Sequence, residues 1–223
     1  MSKRVHRPEV REGYDRWSES YDQTPNPLVA LDRRHTLALL QPRRSERILD
    51  AGCGTGAHLG LMLRSGSFPV GLDLSRGMLK VTRAKHPSVP LAQADLNDRL
   101  PVRRRSFDAV LCALVGEHLS NLRLLFREIR DGLVRGGRFV FSVFHPEMAA
   151  AGIEANFEQD GVEYRLGALR HTVAAYLNLI DGAGFRGIAV HEFRGDDVLV
   201  EQVPWASKYL GRPLLLAVEA RTS

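Results

Sequence analysis

The sequence predicts one α/β domain, residues 1–223, built on a seven-stranded, mostly parallel sheet with helices on both faces and an antiparallel last strand. Three observations support this prediction. Short apolar segments alternate with amphipathic ones between Arg47 and Phe144, which is typical of βα units around a parallel sheet. Helical periodicity precedes this region, and two apolar strand-like segments follow it. The chain has 223 residues, 44% of them hydrophobic, enough for one compact core.

The N-terminal part, residues 1–45, is predicted to form a helical cap. Apolar and aromatic residues recur there at alternating steps of four and three, as on one face of a helix. This stripe consists of Val10, Tyr14, Trp17 and Tyr21. A Thr-Pro-Asn-Pro segment then ends the helix, and a second helix is expected from Leu28 to Leu40.

Residues 46–144 are expected to contain the first five strands. The predicted strands cover residues 48–51, 70–74, 91–95, 107–114 and 138–144. The clearest helix between them is predicted over residues 121–134, because its apolar positions fall on one face and Gly136 and Gly137 follow as a stop signal.

The last part of the chain is predicted to hold a lid, a helix and a strand pair. Residues 145–170 are punctuated by glycine and lack clear periodicity, so they are expected to form a lid. Residues 171–223 are expected to contain a helix over 171–180 and an antiparallel pair of strands over 188–193 and 214–220.

A glycine-rich turn follows the first predicted strand. Glycine tolerates the tight backbone and close ligand approach that such a turn needs, and the following helix offers free N–H groups to a polar cofactor. The second predicted strand ends near Asp73 and the third near Asp95. In a parallel sheet these carboxylates lie at the same edge as the turn, where Asp73 can accept hydrogen bonds from ribose hydroxyls.

The combination of Asp50, the Gly52-x-Gly54-x-Gly56 turn and the two later acidic residues resembles the class I S-adenosylmethionine-dependent methyltransferase superfamily. It is most similar to the small-molecule branch that contains the ubiquinone and menaquinone methyltransferases. The resemblance covers Gly13 to Phe144 well and the C-terminal part only in outline. It implies a Rossmann-like sheet, S-adenosylmethionine as cofactor, and a small-molecule acceptor methylated at an O, N or C atom.

The resemblance also implies a set of cofactor contacts. These residues are Tyr14, Tyr21, Asp50, Gly52, Cys53, Gly54, Asp73, Leu74, Met78, Asp95, Leu96 and Leu114. Two alternatives stay open at this point. Tyr14 and Tyr21 either close the pocket or only pack the helical stripe, and Met78 either covers the adenine or belongs to the helix core.

Three residues are candidates for catalysis. A phenol, hydroxyl or protonated amine that accepts a methyl group must lose a proton, and a histidine or carboxylate can take it. His118 follows the fourth predicted strand, where it either lines the acceptor site or caps a helix. His145 and Glu147 follow the fifth strand and are expected to lie over the transferred methyl group. His58 is expected to be a partly exposed helix residue.

Composition restricts the compartment and the partners. No apolar run approaches the roughly 20 residues of a membrane span, and two cysteines form neither a disulfide framework nor a metal cluster. We therefore expect a cytoplasmic protein without membrane insertion and without a metal site. The net charge is +5 and arginines cluster locally, which suits an RNA-facing surface or solvated faces. Interspersed acidic residues favour solvated faces, so nucleic acid is not an expected partner, and a homodimer is left open.

Two other functions fit parts of the sequence. An NAD-dependent oxidoreductase is disfavoured because no Tyr-x-x-x-Lys occurs and about 45 residues precede the first strand. The basic composition is compatible with an RNA-modifying methyltransferase. However, the fourth strand lacks the Asn/Asp-Pro-Pro-aromatic clamp that amino-methylating nucleic-acid enzymes use.

Overall fold

The computed structural model describes residues 4–223. The strands are β1 Arg4–His6, β2 Arg47–Ala51, β3 Phe68–Asp73, β4 Leu91–Gln93, β5 Phe107–Ala113, β6 Leu133–Phe144, β7 Asn156–Gln159, β8 Val162–Arg165, β9 Phe185–Arg194 and β10 Pro213–Thr222. The helices are α1 Val10–Trp17, α2 Pro27–Leu40, α3 Ala57–Arg64, α4 Arg76–Lys85, α5 Leu122–Gly132, α6 Pro146–Ala150, α7 Val173–Gly182 and α8 Asp197–Gln202. Short 3-10 helices cover Tyr21–Gln23, Gly116–His118 and Pro204–Tyr209.

Seven strands form the main sheet in the order β4-β3-β2-β5-β6-β10-β9. The strands from β2 to β6 are parallel, whereas β10 runs antiparallel to both of its neighbours. The strand order reverses direction at β2, so the carboxyl ends of β2, β3 and β5 border one crevice, where ligands of such sheets bind. The predicted seven-stranded, mostly parallel Rossmann-like sheet is confirmed.

The two faces of the sheet carry separate apolar cores. On one face α5 and α7 pack against strand residues, with Phe126, Phe139 and Phe141 in mutual aromatic contact. On the other face Leu40 of α2 and Met62 of α3 are fully buried against β2, β5 and β6. Burial on both faces explains why the central strands are almost continuously apolar.

A second, three-stranded sheet in the order β1-β8-β7 supports the cap. Trp17 of α1 stacks on Phe157 of this sheet with ring centroids 4.9 Å apart. These two residues and Leu166 form a small apolar cluster separate from the main core. The predicted lid, residues 145–170, therefore contains α6 and a strand hairpin, and its hairpin pairs with the N-terminal β1.

The helix predicted over residues 121–134 ends earlier than expected. It stops at Gly132, because Leu133 adopts an extended backbone and pairs with Phe107 of β5. The strand β6 then continues through Gly136, whose φ is +70°. Tertiary strand pairing thus outweighs the helical pattern of the last residues.

Among residues 4–223, no helix combines the length and the apolarity that crossing a membrane requires.

Gly77 permits the close approach of α1 to α4. A Cβ atom at this position would lie 2.5 Å from Ser18 Oγ and 2.7 Å from the Asp15 carbonyl oxygen. We expect Gly77→Ala to lower the free energy of unfolding by about 1–3 kcal/mol, because backbone and cap would have to move. Urea unfolding curves measure this change.

Gly182 provides a matched control. It also lies in a helix, α7, but a Cβ there would have no neighbour within 4 Å among the described residues. Gly182→Ala should be neutral or stabilising by up to about 1 kcal/mol, since alanine favours the helix. Equal destabilisation by both substitutions would show that the α1–α4 approach is not the cause.

Candidate active site

The glycine-rich turn between β2 and α3 requires backbone conformations that favour glycine. Gly52, Gly54 and Gly56 all have positive φ, at 89°, 51° and 80°. A Cβ on Gly52 would lie 2.4 Å from Cγ1 of Val115, so a larger residue would displace the segment after β5. The turn therefore brings its backbone to the crevice between β2 and β5.

Asp73, the last residue of β3, fixes this turn. One carboxylate oxygen accepts a hydrogen bond from the Gly54 N–H and the other from the Ser75 N–H, each at 2.8 Å. Burial is the main cause that raises the pKa of this carboxyl, although the two backbone hydrogen bonds oppose the shift. Each oxygen has a further lone pair, and the residue lies on the wall of a cavity.

That cavity has a volume of about 460 Å³ and lies at the carboxyl ends of the parallel strands. Most of the residues predicted from sequence line it. These are Tyr14, Tyr21, Gly52, Cys53, Gly54, Asp73, Leu74, Met78, Asp95, Leu96, Leu114 and His118. The volume and mainly apolar wall with a few convergent polar groups are typical of a small-molecule site.

The far end of the cavity is shaped by the loop after β4. Asp95 Oδ1 accepts hydrogen bonds from the backbone N–H and the side-chain amide of Asn97, at 2.8 and 3.1 Å. Asn97 in turn accepts from the backbone of Ser120 and Asn121. Met78 and Leu96, both buried, provide apolar surface beside this loop.

The cap closes over the cavity through polar contacts. The Tyr14 hydroxyl lies 3.0 Å from Nε2 of His118, and their rings meet edge to face. Asp15 Oδ1 accepts hydrogen bonds from the Ser75 hydroxyl and the Gly77 N–H, at 2.6 and 2.8 Å. Tyr14 therefore belongs to both the helical stripe and the cavity wall.

Burial determines the protonation of the Tyr14–His118 pair. It lowers the pKa of His118 to about 4 and raises that of Tyr14 well above its usual range. At neutral pH the imidazole is uncharged and the phenol keeps its proton. The phenol can then donate to Nε2 and orient the imidazole ring.

A buried ion pair that the sequence did not reveal also lines the cavity. His58 Nε2 lies 2.6 Å from Asp32 Oδ2, while the hydroxyls of Thr36 and Ser142 donate to Asp32 Oδ1. Burial, the largest single cause, would raise the pKa of Asp32 and lower that of His58, but the hydrogen bond between them and their opposite charges together outweigh it, with help from the two hydroxyl donors at Asp32. The pKa of Asp32 is lowered and that of His58 raised.

The prediction that His58 is partly exposed was wrong, since it is 8% exposed. Asp32 and Arg33 were missed because they follow an ordinary helical pattern in the sequence. Only the packing of α2 against α3 brings them to the cavity.

His145 and Glu147 do not lie where the sequence predicted. Neither lines the cavity, and His145 is buried at the N-terminus of α6. Its Nδ1 accepts from the Glu147 N–H, and its Nε2 lies 3.4 Å from Glu192 of β9. The chain turns into α6 at this point, so the imidazole faces the β9–β10 side, whereas Glu147 is exposed. We assign neither a catalytic role.

Asp50 also lies behind the cavity wall. It is 1% exposed, and neither carboxylate oxygen has a hydrogen-bond partner among residues 4–223. Burial raises its pKa to about 7. Its position in the middle of the sheet, in register with Gly71 and Leu111, explains why it does not reach the surface of the cavity.

Comparisons with known proteins agree with this geometry. Residues 49–141 match the family model described as "Methyltransferase domain". Demethylmenaquinone methyltransferase of Streptomyces griseus is 30% identical over 149 residues, which cover 65% of this chain and 63% of that protein. Malonyl-[acyl-carrier protein] O-methyltransferase of Erwinia pyrifoliae is 29% identical and covers 79% of this chain, which covers 71% of that protein.

A crystal structure of an S-adenosylmethionine-dependent methyltransferase from Mesorhizobium loti superimposes with a TM-score of 0.74 at 28% identity. The superposition covers 88% of this chain and 100% of the Mesorhizobium loti chain. This chain spans less than two thirds of the Streptomyces relative's length. Together with the cavity, these findings place the chain in the class I S-adenosylmethionine-dependent methyltransferase superfamily.

The buried carboxyl of Asp50 predicts a pH dependence of stability. A carboxyl whose pKa rises on folding, here from roughly 4 to about 7, binds more protons in the folded state. Its contribution to stability therefore falls as pH rises between these values. We expect Asp50→Asn to gain roughly 1 kcal/mol or more relative to the parent protein between about pH 5 and pH 8.

Urea unfolding at both pH values measures this difference. Asp98→Asn, an exposed substitution, serves as control and should follow the parent protein. Parallel curves for Asp50→Asn and the parent protein would contradict the buried-carboxyl explanation.

Proposed function

We propose that this protein transfers the methyl group of S-adenosylmethionine to an O, N or C nucleophile of a small metabolite. The observation that carries the proposal is the cavity that joins Asp73 and the glycine-rich turn to the Tyr14–His118 pair. The superfamily indicates the class of reaction, which is methyl transfer. The cavity contains residues that can bind the cofactor, exclude water and take a proton from the acceptor.

The residues present fit the cofactor. Asp73 retains free lone pairs on the cavity wall and can accept from ribose hydroxyls. Met78 and Leu96 provide an apolar slot for an adenine beside Asp95. Arg33 lines the same cavity and has its nearest carboxylate, Asp22, at 3.7 Å, so its guanidinium can pair with the carboxylate of an amino acid.

When bound, S-adenosylmethionine supplies an electrophilic methyl group on a positively charged sulfur. The protein's part is to align the acceptor with that methyl group and to exclude water, which can contribute roughly 7–11 kcal/mol. The cap helix α1 covers the cavity and so excludes water. The uncharged imidazole of His118 can take the acceptor's proton at Nε2 once the Tyr14 hydroxyl releases its hydrogen bond to that atom.

The remaining cavity wall indicates the acceptor's character. Val10, Val29 and Leu119 provide apolar surface, and Arg11 adds a positive charge. Two similar proteins are named demethylmenaquinone methyltransferase and malonyl-[acyl-carrier protein] O-methyltransferase. We infer an acceptor with an apolar or planar body, such as a quinone-like or secondary-metabolite compound.

Substitution of Asp73 tests cofactor binding. Asp73→Asn nearly keeps the side-chain volume but removes the charge and one of the two oxygens that accept backbone N–H groups, and a hydrogen bond to a charged group is worth about 1.5–3 kcal/mol. The Kd for S-adenosylhomocysteine should therefore rise about 10- to 100-fold in isothermal titration calorimetry. Asp98→Asn should leave it unchanged, and an unaltered Kd for Asp73→Asn would contradict the assignment.

Substitution of His118 tests proton removal. We expect His118→Ala to lower methyl transfer by about 10²-fold or more while the Kd for S-adenosylhomocysteine changes little. The assay uses methyl-labelled S-adenosylmethionine with the small-molecule fraction of a cell extract, and total RNA as a parallel acceptor.

His145→Asn is the matched control, because asparagine retains a helix N-cap and the site lies off the cavity. It should keep its activity. An equal loss of methyl transfer in the His118 and His145 variants would indicate a catalytic role for His145. Methyl label found only in RNA would favour the RNA-modifying alternative.

A further inference from the structure

The edge of the main sheet opposite the cavity carries a strong excess of positive over negative charge. This basic edge consists of segments 41–47, 64–68, 101–108, 130–138, 181–187 and 221–223, which flank β2, β3, β5, β6, β9 and β10. Together they contain twelve arginines and only four carboxylates, a formal charge of +8. Since the whole chain has a net charge of +5, the rest of the molecule is net negative.

Strand register brings these segments into one row. Phe68 of β3 pairs with Arg47 of β2, whose N–H donates to Asp108 of β5. Farther along, Arg221 of β10 lies between Arg138 of β6 and Arg186 of β9. Six neighbouring strands span about 24 Å at the usual strand spacing. The row is long enough to contact several successive phosphates of an extended chain.

Most of these arginines are available to a ligand. All except Arg138 are exposed. Asp131 pairs with Arg104 and Arg130, and Asp181 pairs with Arg186. Within residues 4–223, the other exposed arginines of the edge have no carboxylate within the 4.0 Å of an ion pair. They are Arg43, Arg44, Arg47, Arg64, Arg103, Arg105, Arg135 and Arg221.

An exposed aromatic ring lies in the same row. Phe68 is 61% exposed, although it begins β3, which has a neighbouring strand on each side. Arg47 is its partner on the adjacent strand, and the Ser45 N–H, next to Arg44, donates to the Gly66 carbonyl in the turn before it. Sites for single-stranded nucleic acid combine two components: guanidinium groups that bind phosphates, and an aromatic ring on which a base can stack. The row contains both.

We propose that the basic edge binds the phosphate backbone of single-stranded RNA. A membrane surface fits less well, since an interfacial segment needs a continuous apolar face. The large apolar side chains exposed on or beside this described edge are Leu63 and Phe68. The proposed surface lies at the opposite end of the strands from the cavity, so RNA bound there is a ligand and not the methyl acceptor.

The experiment measures binding of a fluorescein-labelled oligouridylate of about 20 nucleotides to the full chain by fluorescence anisotropy. We expect a Kd of roughly 1–100 μM or lower in about 50 mM NaCl, with log K falling linearly with log salt concentration. No anisotropy change at protein concentrations near 0.1 mM, within the range of non-specific binding, would overturn the proposal.

A triple variant, Arg103→Gln with Arg104→Gln and Arg105→Asn, removes three charges from the edge. Asparagine is used at position 105 because Arg105 has a φ of +49°, a left-handed conformation that asparagine tolerates. We expect RNA affinity to fall about tenfold or more and the salt slope to decrease by about 2. Arg170→Gln with Arg194→Gln and Arg212→Gln removes three exposed charges outside the edge and should retain binding.

Phe68→Ala provides a second readout, because loss of stacking should lower affinity about tenfold without changing the salt slope. Unchanged binding of S-adenosylhomocysteine verifies that each variant is folded. An equal loss of RNA affinity in the two triple variants would overturn the proposal. So would tighter binding of the parent protein to anionic phospholipid vesicles than to the RNA. Neither outcome bears on methyl transfer, whose site is elsewhere.

Discussion

The carboxylate of Asp73 holds the glycine-rich turn in the conformation on which the cavity depends. It accepts the N–H of Gly54 from one side, while the hydroxyl of Thr82 donates to the Gly54 carbonyl from the other at 2.6 Å. The turn is thus anchored through both backbone polar groups of Gly54, its N–H and its carbonyl. Such pre-organisation reduces the ordering that a ligand must impose, and it presents Asp73 on the cavity wall.

The first part of the cap, α1 and the 3-10 helix Tyr21–Gln23 after it, is attached to this platform in a different way from α2, which packs in the main core. Its own apolar cluster, around Trp17 and Phe157, faces the small sheet and not the main core. Its polar contacts to the platform are hydrogen bonds: Asp15 accepts from the Gly77 N–H of α4, the Tyr14 hydroxyl pairs with His118, and the Thr55 hydroxyl donates to Asp22. Elements held by few apolar contacts open at a lower free energy than core elements, which suits a cover over a ligand cavity.

Charge is distributed unevenly along the strand direction. Carboxyl groups surround the cavity end, where Asp32 is ionised beside His58 and burial raises the pKa values of Asp50 and Glu117 to about 7. Arginines dominate the other end, on the basic edge. This polarity favours a positively charged sulfur compound in the cavity and a phosphate-rich ligand at the opposite edge, since opposite charges attract across partly desolvated surfaces.

The sequence by itself determined the sheet, the glycine-rich turn and most of the cavity wall. These features depend on local rules: apolar runs form buried strands, positive φ favours glycine, and parallel strands end at one edge. Asp73, Asp95 and Leu96 are therefore placed by their position after a strand.

Only the tertiary structure decided the rest. The Asp32–His58 pair joins residues 26 apart on separate helices, and the hairpin within residues 145–170 pairs with β1, far away in the chain. His145 follows a strand as His118 does, yet the chain turns it away from the cavity into α6. Side-chain direction and long-range pairing depend on packing against distant segments, which a linear pattern does not contain.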